Sequence, residues 1–316
     1  MRALHVPAAG EQPQISDIPT PEPTEGTVLV RVKAAGLNPI DNAVAAGFLT
    51  QMGLPHEYPV VIGRDAAGVV EAVGAGVDHV AVGDEVLGHV LLAPPISAGT
   101  LAEYALLPAV TVTPKPAGLD FTKAAAIPLA GAAAVQSIDA IDPQPGQTVL
   151  VNGASGGVGS FAVQLLAARG VTVVATGTAA DNERLTALGA SRVIDHTAGP
   201  VAEQVRAAYP DGVDALVSLH GMDPSGTPIA AVRAGGKVAG VAAVPDEATL
   251  AAAGLTGTSV MATPLREVVG PLAERAAAGE LRVSVAGVLP LEQAPEGLGR
   301  LATGGAGGKL VVTLQD

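Results

Sequence analysis

The chain has 316 residues, 48% of them hydrophobic and 15% charged, which is enough for two domains with buried cores and excludes a disordered tail or a disulfide mini-protein. Aromatics make up only 2%, so the cores must be built from Ala, Val, Leu and Ile, and the lack of cysteine removes disulfides, thiolate nucleophiles and Cys-based zinc or iron–sulfur sites. Lys and Arg number 17 against 30 Asp and Glu, and the net charge of −13 repels nucleic-acid phosphates and anionic lipid over most of the surface.

The stretch Met1 to Pro7 lacks the apolar run of a signal peptide, and no segment reaches the ~18 apolar residues that span a bilayer. A soluble, cytoplasmic protein is expected. Up to Pro116, short Val-rich segments such as Thr27 to Ala35, Gly68 to Val73 and Leu101 to Leu107 are punctuated by Gly and Pro, which suggests a small, irregular β-barrel. The small-apolar run Ala124 to Val135 is interrupted by Pro128 and Gly131 and reads as a core helix pair or loop. From Thr148 onward strands and helices alternate, as in a parallel, doubly wound sheet. The expected strands are Thr148 to Asn152, Val171 to Thr176, Ser191 to Asp195, Ala215 to Leu219, Lys237 to Val241 and Ser259 to Ala262. Helices are expected at Gly157 to Ala168, Asp181 to Leu188, Val201 to Ala208, Pro228 to Arg233 and Ala248 to Ala253. A helix over Leu265 to Ala278, the strands Val283 to Leu289 and Leu310 to Leu314, and a helical stretch between them complete the chain. The last strands are expected to rejoin the first domain. The domains are then 1–118 completed by 264–316, and 119–263, with a cleft between them.

One segment carries chemistry. Val149-Leu150-Val151-Asn152 leads into Gly153-Ala154-Ser155-Gly156-Gly157-Val158-Gly159, followed by the apolar positions Phe161, Val163, Leu165 and Leu166. Glycines after a strand and at a helix start permit a tight turn, let a pyrophosphate approach without a Cβ in the way, and aim helix N–H groups at the anion. The spacing is GxxGxxG rather than GxGxxG, and a purely structural turn is the alternative reading. The second strand ends Ala175-Thr176-Gly177-Thr178, without the carboxylate that commonly receives the ribose hydroxyls of NAD. NADPH is therefore favoured over NADH, with Thr178, Arg184, Arg192 and His196 as nearby candidates to bind the 2′-phosphate and Thr176 as a further cofactor-binding position. Solvated surface charges are the other reading of Arg184 and Arg192.

Histidines stand at 5, 56, 79, 89, 196 and 220, and no pair has the close spacing of a zinc ligand set. Gly153, Ser155 and Gly157 also satisfy a GxSxG nucleophile elbow, with Asp195 and His220 as nominal partners, but that reading leaves Gly156 and Gly159 without a role.

The sequence resembles the medium-chain dehydrogenase/reductase superfamily, specifically its zinc-free quinone oxidoreductase (zeta-crystallin-like) branch, over nearly the whole chain. The supporting segments are Ala34-Ala35-Gly36-Leu37-Asn38-Pro39-Ile40-Asp41, Pro59-Val60-Val61-Ile62-Gly63-Arg64-Asp65-Ala66-Ala67-Gly68-Val69-Val70, Val82-Gly83-Asp84-Glu85-Val86, Gly99-Thr100-Leu101-Ala102-Glu103-Tyr104, the glycine loop, Ala187-Leu188-Gly189-Ala190 and Gly307-Gly308-Lys309. Zinc-dependent relatives have a Cys and a Gly-His-Glu triplet where this chain has no Cys and Gly63-Arg64-Asp65.

The resemblance implies an α/β fold in which a Rossmann doubly wound parallel sheet accompanies a GroES-like β-barrel catalytic domain. It implies that Asn38 hydrogen-bonds ribose, nicotinamide or a substrate carbonyl, although Asn38 also suits a turn before Pro39. Leu219, His220, Val241, Met261, Thr263, Gly308 and Lys309 match segments that approach the cofactor. Phe48, Arg64, His89 and Leu91 are candidate pocket residues, with core or surface duty as the alternative. Ala43 replaces a tyrosine found in many quinone reductases, Ala133 a threonine, and Ala180 or Asp181 the usual phosphate-binding Lys or Arg. The expected activity is zinc-independent, NADPH-dependent hydride transfer to a quinone or similar electron-poor carbonyl. Alternatives are a reductase of enone or enoyl-thioester double bonds and a catalytically silent NADPH-binding protein. A homodimer paired through Ser259 to Ala262 is also implied.

Overall fold

The computed structural model describes residues 1–221, 223–242, 244–304 and 306–314. The chain divides into two compact units, Met1–Leu129 with Thr263–Asp316, and Ala130–Ala262. The division falls at 129/130 rather than 118/119, because the short helix Phe121–Ala125 packs on the first unit's sheet. Its Ala125 carbonyl oxygen lies 2.2 Å from where a Cβ on Gly36 would stand, so only glycine admits the helix there. The run read as a helix pair or loop is a pair, Phe121–Ala125 and Pro128–Ile141.

The second unit is a six-stranded parallel sheet of Thr148–Asn152, Thr172–Gly177, Arg192–Asp195, Val213–Ser218, Val232–Gly240 and Thr256–Ser259. From edge to edge these come third, second, first, fourth, fifth and sixth in chain order, the doubly wound order of dinucleotide-binding sheets. The central strand Thr148–Asn152 is buried from Val149 onward, as a strand covered on both faces must be. The helix Gly157–Ala168 lies where expected and buries Phe161, Val163, Leu165 and Leu166. Two expectations need correction. The segment Pro228 to Arg233 is a single 3-10 turn, Ile229–Ala231, because Val232 already pairs with Val213 and starts a long strand with a bulge before Lys237. The edge strand is Thr256–Ser259 rather than Ser259–Ala262. Gly257 fixes that register, since a Cβ there would meet the Val238 carbonyl oxygen at 2.7 Å, and Met261 lies beyond it, 78% exposed.

In the first unit, Thr27–Gly36 is the spine. Asp65–Val73 pairs antiparallel along one edge; on the other, Tyr104–Pro108 pairs with Thr27 to Arg31 and Lys309–Thr313 with Ala34 to Gly36. Glu85–His89 continues the sheet beyond Asp65–Val73, and Val285–Pro290 flanks Lys309–Thr313. The C-terminal strand thus returns to the first unit. Its core is aliphatic, with Val28, Val30, Leu37, Ile62, Leu101, Leu107, Leu310 and Val312 buried, and the largest fully buried side chain is Arg64. No helix among the described residues is long and apolar enough to cross a membrane.

Candidate functional site

The second unit's central strand ends at Asn152, and Gly153 turns the chain with φ +87°, a conformation that glycine adopts without strain. The Gly153 N–H donates to Thr176 Oγ1 at 2.8 Å, and Gly156 N–H donates to the Gly153 carbonyl at 3.2 Å. A Cβ on Gly159 would stand 2.3 Å from the Gly153 oxygen, so the third glycine lets helix and turn close on one another. Gly156 caps the helix with no side-chain hydrogen bond. Helix geometry therefore leaves the N–H groups of Gly157, Val158 and Gly159 for an outside acceptor, at the positive end of the helix dipole. That arrangement fits a pyrophosphate.

Leu219 and His220 adjoin the same turn. Leu219 N–H donates to the Asn152 carbonyl, and the His220 Cβ lies 3.0 Å from a Cβ placed on Gly153. Thr176 is buried, and its hydroxyl serves the turn itself. One strand over, Thr178 N–H and Oγ1 both donate to Asp181 Oδ2, at 3.0 and 2.9 Å. Asp181 Oδ1 in turn holds Arg184 Nη2 at 2.6 Å, and the same nitrogen donates to the Ser155 carbonyl at 3.1 Å. Burial pushes the Asp181 carboxyl up, but the hydrogen bonds from Thr178 and Arg184 outweigh it and hold it below the usual range. Arg184 Nη1 is buried without a partner, an unmet donor beside the glycine turn that fits a phosphate oxygen. Arg192 and His196 are exposed, as are Val241, Met261 and Thr263.

In the first unit, alternation along the strand that starts at residue 65 sends Arg64 and Asp65 different ways. Asp65, fully buried, accepts from His89 Nδ1 at 2.7 Å and the Leu129 N–H at 3.1 Å through Oδ1. Its Oδ2 accepts from Asn38 Nδ2 at 2.9 Å and from Lys309 Nζ at 3.4 Å. Lys309 Nζ also donates to the Leu37 carbonyl at 2.9 Å and to Asn38 Oδ1 at 2.6 Å. Burial pushes Asp65 up, yet Lys309, His89 and Asn38 together hold it below the ordinary carboxylate range. Asn38 and Lys309 thus spend their polar atoms on the first unit's interior. Gly308 packs over the Ser284 carbonyl, where a Cβ would come within 2.7 Å.

Arg64 is 1% exposed. Its Nη2 makes one long bond, 3.4 Å to the Val61 carbonyl, and its Nε has no partner. Asp41 accepts from the Asn38 N–H at 2.8 Å through Oδ2, while its Oδ1 is buried and unpartnered. Burial raises Asp41 to about 7 despite the nearby Arg64 charge. Burial and Arg64 together lower His56, whose ring nitrogens are buried without partners. Phe48 is 50% exposed and Leu91 half-buried. Sequence reasoning gave Asp41, His56 and Asp181 no role. The Asn38-Pro39-Ile40-Asp41 capping box was a readable signal for Asp41. Among the described residues, no three His, Asp or Glu side chains converge as a metal-ligand group.

Residues 24–117 match the alcohol dehydrogenase GroES-like domain, and residues 188–312 match the zinc-binding dehydrogenase family. The chain is 32% identical to the NADPH-dependent alkenal/one oxidoreductase of Arabidopsis thaliana chloroplasts, over 94% of this chain and 74% of that protein. It is 30% identical to the quinone oxidoreductase of Rattus norvegicus, over 75% and 72% of the two chains. The structure of the quinone oxidoreductase from Coxiella burnetii superposes with a TM-score of 0.88 at 27% identity, covering 100% of this chain and 99% of that one. The chain spans about half the length of the mitochondrial NAD(P)H oxidoreductases of Mus musculus and Homo sapiens, with which it shares 35% identity.

Proposed function

Because the chain belongs to the medium-chain dehydrogenase/reductase superfamily, in its quinone oxidoreductase-like branch, we propose that it is a zinc-independent, NADPH-dependent reductase of quinones and related electron-poor carbonyls. The observation that carries the proposal is the glycine turn, whose backbone leaves three helix N–H groups and no Cβ where a pyrophosphate would rest. Arg184 supports the phosphorylated cofactor. Its Nη1 is unmet, and Asp181 and the Ser155 carbonyl fix its guanidinium beside the turn. Bound there, NADPH would supply a hydride to the acceptor.

The chain's own contribution is binding, positioning and charge. Zinc independence is supported by the lack of cysteine and by Lys309, which already brings positive charge to Asp65. Enones and enoyl thioesters belong to the proposed acceptor range because they too accept a hydride and leave negative charge on a carbonyl oxygen. Protonation by water then completes the reaction. The open edge of Thr256–Ser259 supports a homodimer.

The test is equilibrium titration with NADPH and NADH, followed by NADPH oxidation with a quinone panel and an enone panel. Micromolar NADPH binding, at least ~10-fold tighter than NADH, with consumption on one panel is expected. Absence of binding overturns the reading, and tight binding without consumption on either panel would make the protein a binder instead.

A further inference from the structure

The strand Thr172–Gly177 is followed, four residues on, by the carboxylate of Asp181. A carboxylate at this corner of a dinucleotide-binding sheet ordinarily accepts from the ribose hydroxyls and repels a 2′-phosphate. Asp181 is placed otherwise. Its Oδ2 turns back on the strand end and accepts from the Thr178 N–H at 3.0 Å and from Thr178 Oγ1 at 2.9 Å, in a capping box across the 3-10 turn Ala179–Asp181. Its Oδ1 holds Arg184 Nη2 at 2.6 Å. Both oxygens are committed within the chain. Gly177 permits the fold-back, since a Cβ there would meet Leu185 Cδ1 at 2.8 Å and Asp181 Cβ at 3.0 Å. On the neighbouring strand Asp195 likewise accepts from Thr197 N–H and Oγ1, at 2.8 and 2.6 Å, and from the Ala179 N–H.

Arg184 stands on the short helix Asn182–Ala187, which the fully buried Leu185 anchors. Its Nη2 is gripped from two segments, by Asp181 and by the Ser155 carbonyl at 3.1 Å, so the guanidinium bridges the strand end and the glycine turn. A guanidinium is a rigid planar fork, and fixing one nitrogen between two acceptors orients the rest. The nitrogen left over is Nη1, buried and without a partner. An arginine held only by its backbone would scatter among rotamers, whereas this one has lost that freedom before any ligand arrives.

We propose that Asp181 is a positioning residue that sets the preference for a 2′-phosphorylated cofactor, because its grip on Arg184 presents Nη1 to the 2′-phosphate. A carboxylate type that ordinarily selects NADH thus selects NADPH here. This deepens the NADPH reading above and rests on it. Two effects of Asp181 oppose each other: its charge repels a phosphate, and its grip orients the cation that attracts one. The grip wins. Three close hydrogen bonds share the carboxylate's charge, and its side chain is 18% exposed against 32% for Arg184, so an incoming phosphate meets the guanidinium first.

The probes are adenosine 2′,5′-bisphosphate and adenosine 5′-monophosphate, which differ only in the 2′-phosphate. Their dissociation constants are measured by ligand-detected NMR with the full chain and with D181N, R184M and the double variant. D181N keeps a carbonyl oxygen for the Thr178 N–H and gives up the ion pair. Wild type is expected to favour the bisphosphate by ~10-fold or more. D181N should lower that preference at least ~threefold, with the monophosphate constant within about twofold of wild type, and R184M should remove most of it. Adding D181N to R184M should then cost nothing further, because a residue that works through Arg184 has nothing left to position. An unchanged or raised preference in folded D181N overturns the proposal, and so does a residual preference in R184M that D181N lowers as much as in wild type. If D181N does not fold, Asp181→Ser, too short to reach Arg184, is read in the same way. Failure of the underlying reading looks different. Wild type that binds both nucleotides alike, or neither, refutes the NADPH preference itself, whereas a preference that D181N leaves intact refutes only the role of Asp181.

Discussion

Asp41 and Asp65 are both fully buried aspartates of the first unit, and their surroundings drive them in opposite directions. Asp65 has Lys309, His89 and Asn38 against it and stays ionised, so its contribution to stability is present above the ordinary aspartate range and is lost as pH falls through its depressed value. Asp41 has one backbone donor and a field from Arg64, and burial raises it from 3.8 to about 7. Between about pH 4 and 7 the unfolded chain releases that proton and the folded chain keeps it, so stability falls with rising pH, by ~4 kcal/mol in total. Asp41→Asn keeps a carbonyl oxygen for the Asn38 N–H and removes the titration. Urea unfolding at pH 4.5 and 8 should show wild type losing about 3 kcal/mol relative to Asp41→Asn, the part of the total that falls between those two values; parallel behaviour of the two proteins would contradict the assignment. A second prediction at this scale concerns Gly159. Alanine favours helix interiors by about 1 kcal/mol over glycine, but its Cβ would meet the Gly153 oxygen at 2.3 Å. The collision wins, costing about 1–3 kcal/mol. Gly159→Ala should also weaken NADPH binding at least ~10-fold, read by the cofactor's fluorescence.

The helix Gly157–Ala168 sets stability against binding within one element. Gly156 has φ −76° and ψ 178°, which any residue can adopt, and a Cβ there would find only the Gly153 oxygen at 3.4 Å. Gly156→Asp therefore caps the helix and adds a few tenths of a kcal/mol, yet places a carboxylate where the cofactor's phosphates should rest. The expected result is an unchanged or slightly raised Tm with NADPH affinity reduced more than ~10-fold. Retained affinity would show that the helix start holds no anion. This strand, turn and helix could be read from the sequence to the residue, because Gly146 and Gly153 bracket the strand and the apolar spacing of 161, 163, 165 and 166 is local. Val232 as a strand start could not be read so. It is set by pairing with Val213 across a bulge, which no nearby residue announces. Arg64 and Lys309 were visible as residues but not as buried cations, because burial depends on segments far along the chain.

At the scale of the molecule, the open edge at Thr256–Ser259 invites a second copy. Val260 N–H donates inward to the Gly240 carbonyl, so alternation turns the N–H groups of Gly257 and Ser259 outward. Ser259→Pro removes an outward donor and leaves the inward ladder intact. A wild-type dimer that this variant converts to monomer, by sedimentation at micromolar concentration and with cofactor affinity kept, is the expected outcome. A wild-type monomer would count against the edge as the dimer contact. The two-unit layout was legible from changes in local texture along the chain. The return of the last strands to the first unit was legible in the same way, but the register that pairs Val311 with Gly36 was not, since nothing near either residue specifies the other.

The bond from Lys309 Nζ to the Leu37 carbonyl closes over 272 positions of sequence. During synthesis, at roughly 5–20 residues per second, the segment around Leu37 waits on the order of ten seconds to a minute for its cation. Throughout that interval Asp65 lacks its lysine and the Ala34 to Gly36 edge lacks a neighbour. Until the last strand emerges the nascent first unit therefore carries an incomplete sheet and an unbalanced carboxylate, whereas every strand of the six-stranded sheet has been made before it.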